Sequence, residues 1–102
     1  MASNFKIYIQ RTNDQLQLNL TGDFDGTSAF ELLDVLAENL ENLNRIYINT
    51  DNLRNVNPFG REVFQNNLYQ LKTNPFCLKF VGKHARHIAP TETGYWCKIR
   101  IS

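Results

Sequence analysis

Apolar and polar residues alternate from Phe5 to Gln10, with Phe5, Ile7 and Ile9 on one side and Lys6, Tyr8 and Gln10 on the other. A period of two sends every apolar side chain to one face of a pleated strand. Leu16, Leu18 and Leu20 repeat the pattern against Gln15, Gln17 and Asn19, and the polar Arg11-Thr12-Asn13-Asp14 between the two runs reads as a turn. The pair predicts an antiparallel hairpin with one apolar face. Thr21-Gly22-Asp23-Phe24-Asp25-Gly26 breaks the alternation, and the period then changes. Ala29, Leu33, Leu36 and Leu40 recur at helical spacing, with Phe30, Leu32, Ala37 and Leu43 widening the apolar face. Ser28 followed by Glu31 fits a capping box, in which each side chain satisfies a backbone N–H left unpaired by the first turn. Glu31, Asp34, Glu38 and Glu41 line the opposite side as an acidic ridge. Like charges at this spacing repel, so the ridge reads either as a plain solvated face or as a docking stripe for a basic partner.

Arg45-Ile46-Tyr47-Ile48-Asn49-Thr50 has the β-branched and aromatic content of a third strand. The polar run that follows reads as its exit loop. Asn57 is then a good N-cap and Pro58 suits the first helical position, where its missing N–H costs nothing. Phe59, Val63, Phe64, Leu68 and Leu71 continue a helical face up to Asn74-Pro75. Phe76-Cys77-Leu78-Lys79-Phe80-Val81 is nearly continuous in apolar residues, the pattern of a strand covered on both faces. Residues 83–89 have room for one or two helical turns before Pro90, and Tyr95 to Ile101 reads as a last strand. The order β-β-α-β-α-β with a final strand predicts an α/β sandwich: a mixed sheet of four to five strands, with parallel neighbours joined by right-handed crossovers and helices packed on it.

A chain of 102 residues has room for one core, so residues 1–102 are read as one domain. The net charge of +1 argues against a dedicated nucleic-acid partner, which needs a concentrated positive footprint. The charge is uneven, at −4 over residues 1–71 and +5 over residues 72–102, and this reads as a solvated surface. No basic-then-apolar leader and no apolar run of membrane-spanning length is present, which makes the cytoplasm the expected compartment. Of the two cysteines, Cys77 sits in an apolar run and reads as a small buried hydrophobe. A disulfide with Cys97 stays open, though no disulfide framework surrounds it.

Little in the chain speaks for chemistry. His84 and His87 share one face of a helix, a spacing that suits a metal, but no carboxylate or thiol stands near in sequence to complete a site. They read as surface histidines beside Lys83 and Arg86. Asp23 and Asp25 resemble paired catalytic carboxylates, yet acids before a helix are favoured by its dipole alone. No nucleophile elbow, Walker loop or Rossmann fingerprint occurs. The expectation is a non-enzymatic chain without metal or cofactor.

Two stretches resemble a known family. Leu18-x-Leu20-x-Gly22-x-Phe24-Asp25, with Thr27-Ser28-Ala29 opening a helix, looks like the front of a STAS domain, found in anti-sigma factor antagonists and sulphate transporters. Ile46-x-Ile48-x-Thr50, through Leu53-x-x-Val56 to Gly60, resembles that family's central strand and the loop before its second helix. The likeness covers residues 5 to 82. In the bacterial antagonists this loop carries an Asp-Ser-x-Gly motif whose serine is phosphorylated by the anti-sigma factor. Aligned on Gly60, the serine position is Pro58 and the aspartate position is Asn57, so no hydroxyl stands where the switch requires one. The resemblance therefore implies a regulatory protein-interaction module without the usual switch, docking a protein partner through Asp25, Thr27, Asn55, Asn57, Pro58, Phe59, Gly60 and Arg61. Phe59 is expected either to staple the second helix to the core, the preferred role, or to stand out as an aromatic anchor. The alternative is a ligand-binding relative, serving nucleotides or lipid transport.

Overall fold

In the computed structural model, which describes residues 4–12, 15–40, 43–72 and 75–98, each alternating stretch is a strand and each stretch of helical period a helix. The elements are β1 (Lys6–Arg11), β2 (Leu16–Phe24), α1 (Gly26–Asn39), β3 (Arg45–Val56), α2 (Pro58–Leu68), β4 (Phe76–Val81), α3 (Ala85–Ile88) and β5 (Tyr95–Lys98). They form one sheet in the order β1-β2-β3-β4-β5. β2, β3 and β4 run parallel, while β1 and β5 flank them antiparallel. This is the mixed α/β architecture that the patterning predicts. The expected continuation of the last strand through Ile101, Glu41 of the acidic ridge, Asn13-Asp14 of the turn and Asn74 lie outside the described residues.

The crossovers β2-α1-β3 and β3-α2-β4 advance the same way across the sheet, which puts both helices on one face. Leu16, Leu18, Leu20, Ile46, Ile48, Leu78 and Phe80 point into that face and are buried. Four phenylalanine rings run through the core edge to face, Phe5 to Phe24 at 5.8 Å, Phe24 to Phe64 at 6.1 Å and Phe64 to Phe80 at 6.0 Å. The other face carries no described helix. On β4, Phe76, Leu78 and Phe80 are buried while Cys77, Lys79 and Val81 are only half-buried, so the expectation of a strand covered on both faces is corrected.

Four further expectations are corrected. β3 does not end near Thr50 but runs for 12 residues to Val56. β2 itself continues to Phe24 and supplies a ladder, with two register shifts that each place one extra residue in β3. The cap of α1 is Asp25 rather than Ser28: its carboxylate accepts from the Ser28 N–H at 3.0 Å. Phe30 leaves the apolar face of α1 and is 53% exposed, while Glu31, Asp34 and Glu38 are exposed as the ridge requires. α2 stops at Leu68, short of Leu71. The Lys98 ammonium donates to the carbonyls of Tyr69 and Leu71, placing a cation where the helix end leaves acceptors free.

Cys77 and Cys97 are bonded to each other, so Cys77 is not an isolated apolar residue. They stand directly opposite one another in the β4–β5 ladder, on the face without helices. Closing a loop of 20 residues stabilises the folded chain by about 3 kcal/mol in the chain-entropy account. No described helix is long and apolar enough to cross a membrane.

Candidate functional site

The C-terminal ends of β2 and β3 carry the chain straight into the N-termini of α1 and α2, so four backbone ends meet on one rim. The Asn57 N–H donates to the Phe24 carbonyl at 2.8 Å, tying the start of α2 to the end of β2. Asn57 caps α2, its side-chain oxygen accepting from the Phe59 N–H at 2.7 Å, with Pro58 at the first helical position. The start of α2 thus follows the capping chemistry that residues 57 and 58 announce, while α1 takes its cap from Asp25.

Gly60 brings the two helices together. A Cβ on this residue would lie 2.6 Å from the Asp25 carbonyl carbon and 2.8 Å from its Cα. Only a residue without a side chain allows α2 to touch the α1 cap this closely. Asp25, Thr27, Asn55, Asn57, Pro58, Phe59 and Gly60 are gathered on this rim. Arg61 is exposed and also lines a shallow cleft of about 260 Å³ with Arg86, Pro90 and Glu92.

Phe59 is 66% exposed and is not core, against the preferred expectation. The angular reason is simple. Gly60, Phe64 and Leu68 form the buried stripe of α2, and Phe59 stands five residues before Phe64, roughly 140° around the helix from it. Its ring rests over Gly26, 3.3 Å from where a Cβ there would be. Phe30 stands one turn beyond Gly26 on α1 and is exposed as well. The rim therefore presents two aromatic rings to solvent at the paired helix starts.

The hydroxyls of this edge differ in availability. Thr50 is fully buried; its hydroxyl donates to the Val81 carbonyl at 2.8 Å and accepts from the His84 N–H at 3.1 Å. Ser28 is buried too, its hydroxyl held between the Asp23 carbonyl at 2.9 Å and the Asp25 carboxylate at 3.1 Å. Thr27 is exposed.

The structure adds a pair that pattern reading missed. Arg54 grips Asp23 with two donors, Nε to Oδ1 at 3.2 Å and Nη2 to Oδ2 at 2.9 Å. Asn55 donates to the same carboxylate at 3.1 Å and Asn4 at 3.3 Å. Reading residues 51–56 as a loop hid this pair; reading them as a strand beside β2 places Asp23 against Asn55. The Arg54 guanidinium holds the Asp23 carboxyl below the ordinary aspartate range, helped by Asn55 and Asn4 and opposed by partial desolvation. Because the folded-state value is depressed, the stabilisation is present above the ordinary aspartate value and is lost as pH falls through the folded one. An NMR titration should find Asp23 protonating at lower pH than an exposed aspartate, and Arg54→Met should return it to the ordinary range. Equal midpoints in the two proteins would mean that the pair does not persist in solution.

His84 and His87 bring their Nδ1 atoms to 3.4 Å. Among the described residues no group of three or more His, Cys, Asp or Glu side chains is placed to hold a metal ion.

A mixed sheet with two helices on one face, and a rim where the strand ends meet the helix starts, defines a STAS-like α/β fold. Among solved structures the chain is similar to the anti-sigma factor antagonist SpoIIAA in its unphosphorylated form. The TM-score is 0.53 at 12% identity, over 82% of this chain and 79% of that one. It is also similar to an uncharacterised protein with a SpoIIAA-like fold from Shewanella loihica PV-4, with TM-score 0.50 and 16% identity over 81% and 72% of the two chains. A third likeness, to the crystal structure of Mglu, has TM-score 0.54 and 20% identity; it takes in 63% of this chain and only 16% of that one. No protein-family model and no curated protein matches the chain.

Proposed function

We propose that this chain is a small cytoplasmic regulatory module of the bacterial anti-sigma factor antagonist type, without enzymatic activity or cofactor. It binds a protein partner, rather than nucleic acid, through the rim of Asp25, Thr27 and residues 55–61. The observation that carries the reading is the exposure of Phe59 at the start of α2. A large aromatic ring held in solvent, beside a second one at Phe30, is costly to display and is the residue type that dominates interface energetics. The similarity to SpoIIAA supports a regulatory use of the fold. On the alignment through Gly60, Pro58 leaves the rim with no hydroxyl at the phosphoacceptor position, so docking here is not switched off by a phosphate on residues 55–60.

Phe59→Ala tests this. The variant should unfold within about 0.5 kcal/mol of the parent, as expected for an exposed position. Affinity for the partner, captured from the native cell with the immobilised chain, should fall on the order of thirtyfold, the loss of an anchor worth about 2 kcal/mol. Retained affinity together with a fall in thermal stability would reject the anchor role.

A further inference from the structure

We propose that the Cys77–Cys97 disulfide is a thiol–disulfide exchange site for a dithiol reductant, and that its state decides whether edge strand β5 stays docked. Three features lead there. Both cysteines are half-buried and lie on the sheet face that no described helix covers, the side from which a small thiol would approach. Exposed disulfides are the ones that exchange, whereas buried structural ones resist reduction. The chain has two cysteines in all, which leaves no alternative pairing and makes the outcome binary.

β5 is also the element the fold needs least. It has four residues, pairs with β4 alone and contributes no fully buried side chain to the core. Apart from the disulfide, among the described residues it is held by its ladder, by Trp96 packing edge-on against Phe76 at 5.7 Å and Tyr69 at 5.6 Å, by Lys98 on the end of α2, and by the hydroxyls of Thr91 and Thr93 on the Tyr95 backbone. The sheet from β1 to β4 keeps its own core beneath α1 and α2 without it. Removing the covalent clip therefore frees a local unit rather than the whole fold. An undocked β5 uncovers the edge of β4 and moves Trp96 into water.

The exchange balances. One thiolate of the dithiol attacks either sulfur, the S–S bond breaks, and the other cysteine leaves as a thiolate that takes up a proton. The second thiol of the reductant then attacks the mixed disulfide and releases the remaining cysteine. Two electrons and two protons pass to Cys77 and Cys97, and the reductant departs as its own disulfide.

The full chain, oxidised, is treated with dithiothreitol without denaturant, followed by alkylation and mass spectrometry. Trp96, the chain's one tryptophan, reports on β5 by its emission and by acrylamide quenching. Two thiols should appear under native conditions, with a red shift and a several-fold rise in quenching while the helical circular dichroism is retained. A double variant, Cys77→Ser with Cys97→Ser, should show the same Trp96 signal with or without the dithiol. A bond that yields only in denaturant overturns the proposal. So does reduction that leaves Trp96 unchanged, and so does reduction that melts the helices along with β5.

Discussion

Replacing Gly60 by alanine is expected to destabilise this protein by about 1–2 kcal/mol, although the same change usually stabilises a helix. Propensity alone would give a gain of about 1 kcal/mol, since glycine carries more backbone entropy into the helix than alanine. Packing opposes it. The new methyl group would sit 2.6 to 2.8 Å from the backbone carbon and oxygen atoms of Asp25. Backbone at a helix cap has nowhere to move without giving up the hydrogen bond from Ser28 to Asp25. Overpacking of this kind costs about 1–3 kcal/mol, and a larger shift of α2 would also lose the alignment of the rim. Gly26→Ala is the matched control. Its methyl group would meet only the ring of Phe59, at 3.3 Å and 3.5 Å, and that exposed ring is free to turn aside. Urea midpoints should therefore move in opposite directions, or fall for Gly60→Ala and hold for Gly26→Ala. Two stabilised variants would show that the helices do not approach as closely as the rim requires.

Phe64→Ala should have the largest effect of any single truncation. Phe64 is fully buried at the middle of the phenylalanine series, edge-on to Phe24 on one side and to Phe80 on the other. It links α2 to both β2 and β4. Cutting a ring from such a site removes its transfer free energy and leaves a cavity, a loss of about 3–5 kcal/mol. A domain of this size has about 5–15 kcal/mol in total, so about a fifth or more of its stability is at stake. Denaturant unfolding of the variant should show a much lower midpoint. A loss under about 1 kcal/mol would mean that the surrounding rings collapse to fill the space. Phe59→Ala, one and a half turns away on the same helix, should cost almost nothing, and the contrast between the two reports directly on which ring is core.

Much of this fold is readable in the chain because its signals are local. The alternation at Phe5–Gln10 and at Leu16–Leu20, and the helical spacing from Ala29 to Leu40, each form the element they predict, although Ile9 of edge strand β1 is left exposed. Asn57 and Pro58 likewise act within a single turn. Errors arise where a distant neighbour decides. Residues 51–56 have the composition of a loop, and they are a strand because β2 runs on to Phe24 and offers a ladder. Ser28 has the sequence context of a cap, yet its hydroxyl is drawn under the helix by the Asp23 carbonyl, leaving Asp25 to do the capping.

By itself the sequence determined the order of the elements, the alternation of β2 and the start of α2, because periodicity and capping are properties of a few adjacent residues. Tertiary structure alone decided which faces would be covered. It paired Cys77 with Cys97 across two strands, set Arg54 on Asp23, and turned Phe59 outward while drawing Gly60 against Asp25. Each of these depends on the distance between segments far apart in the chain. That distance exists only once the sheet has assembled.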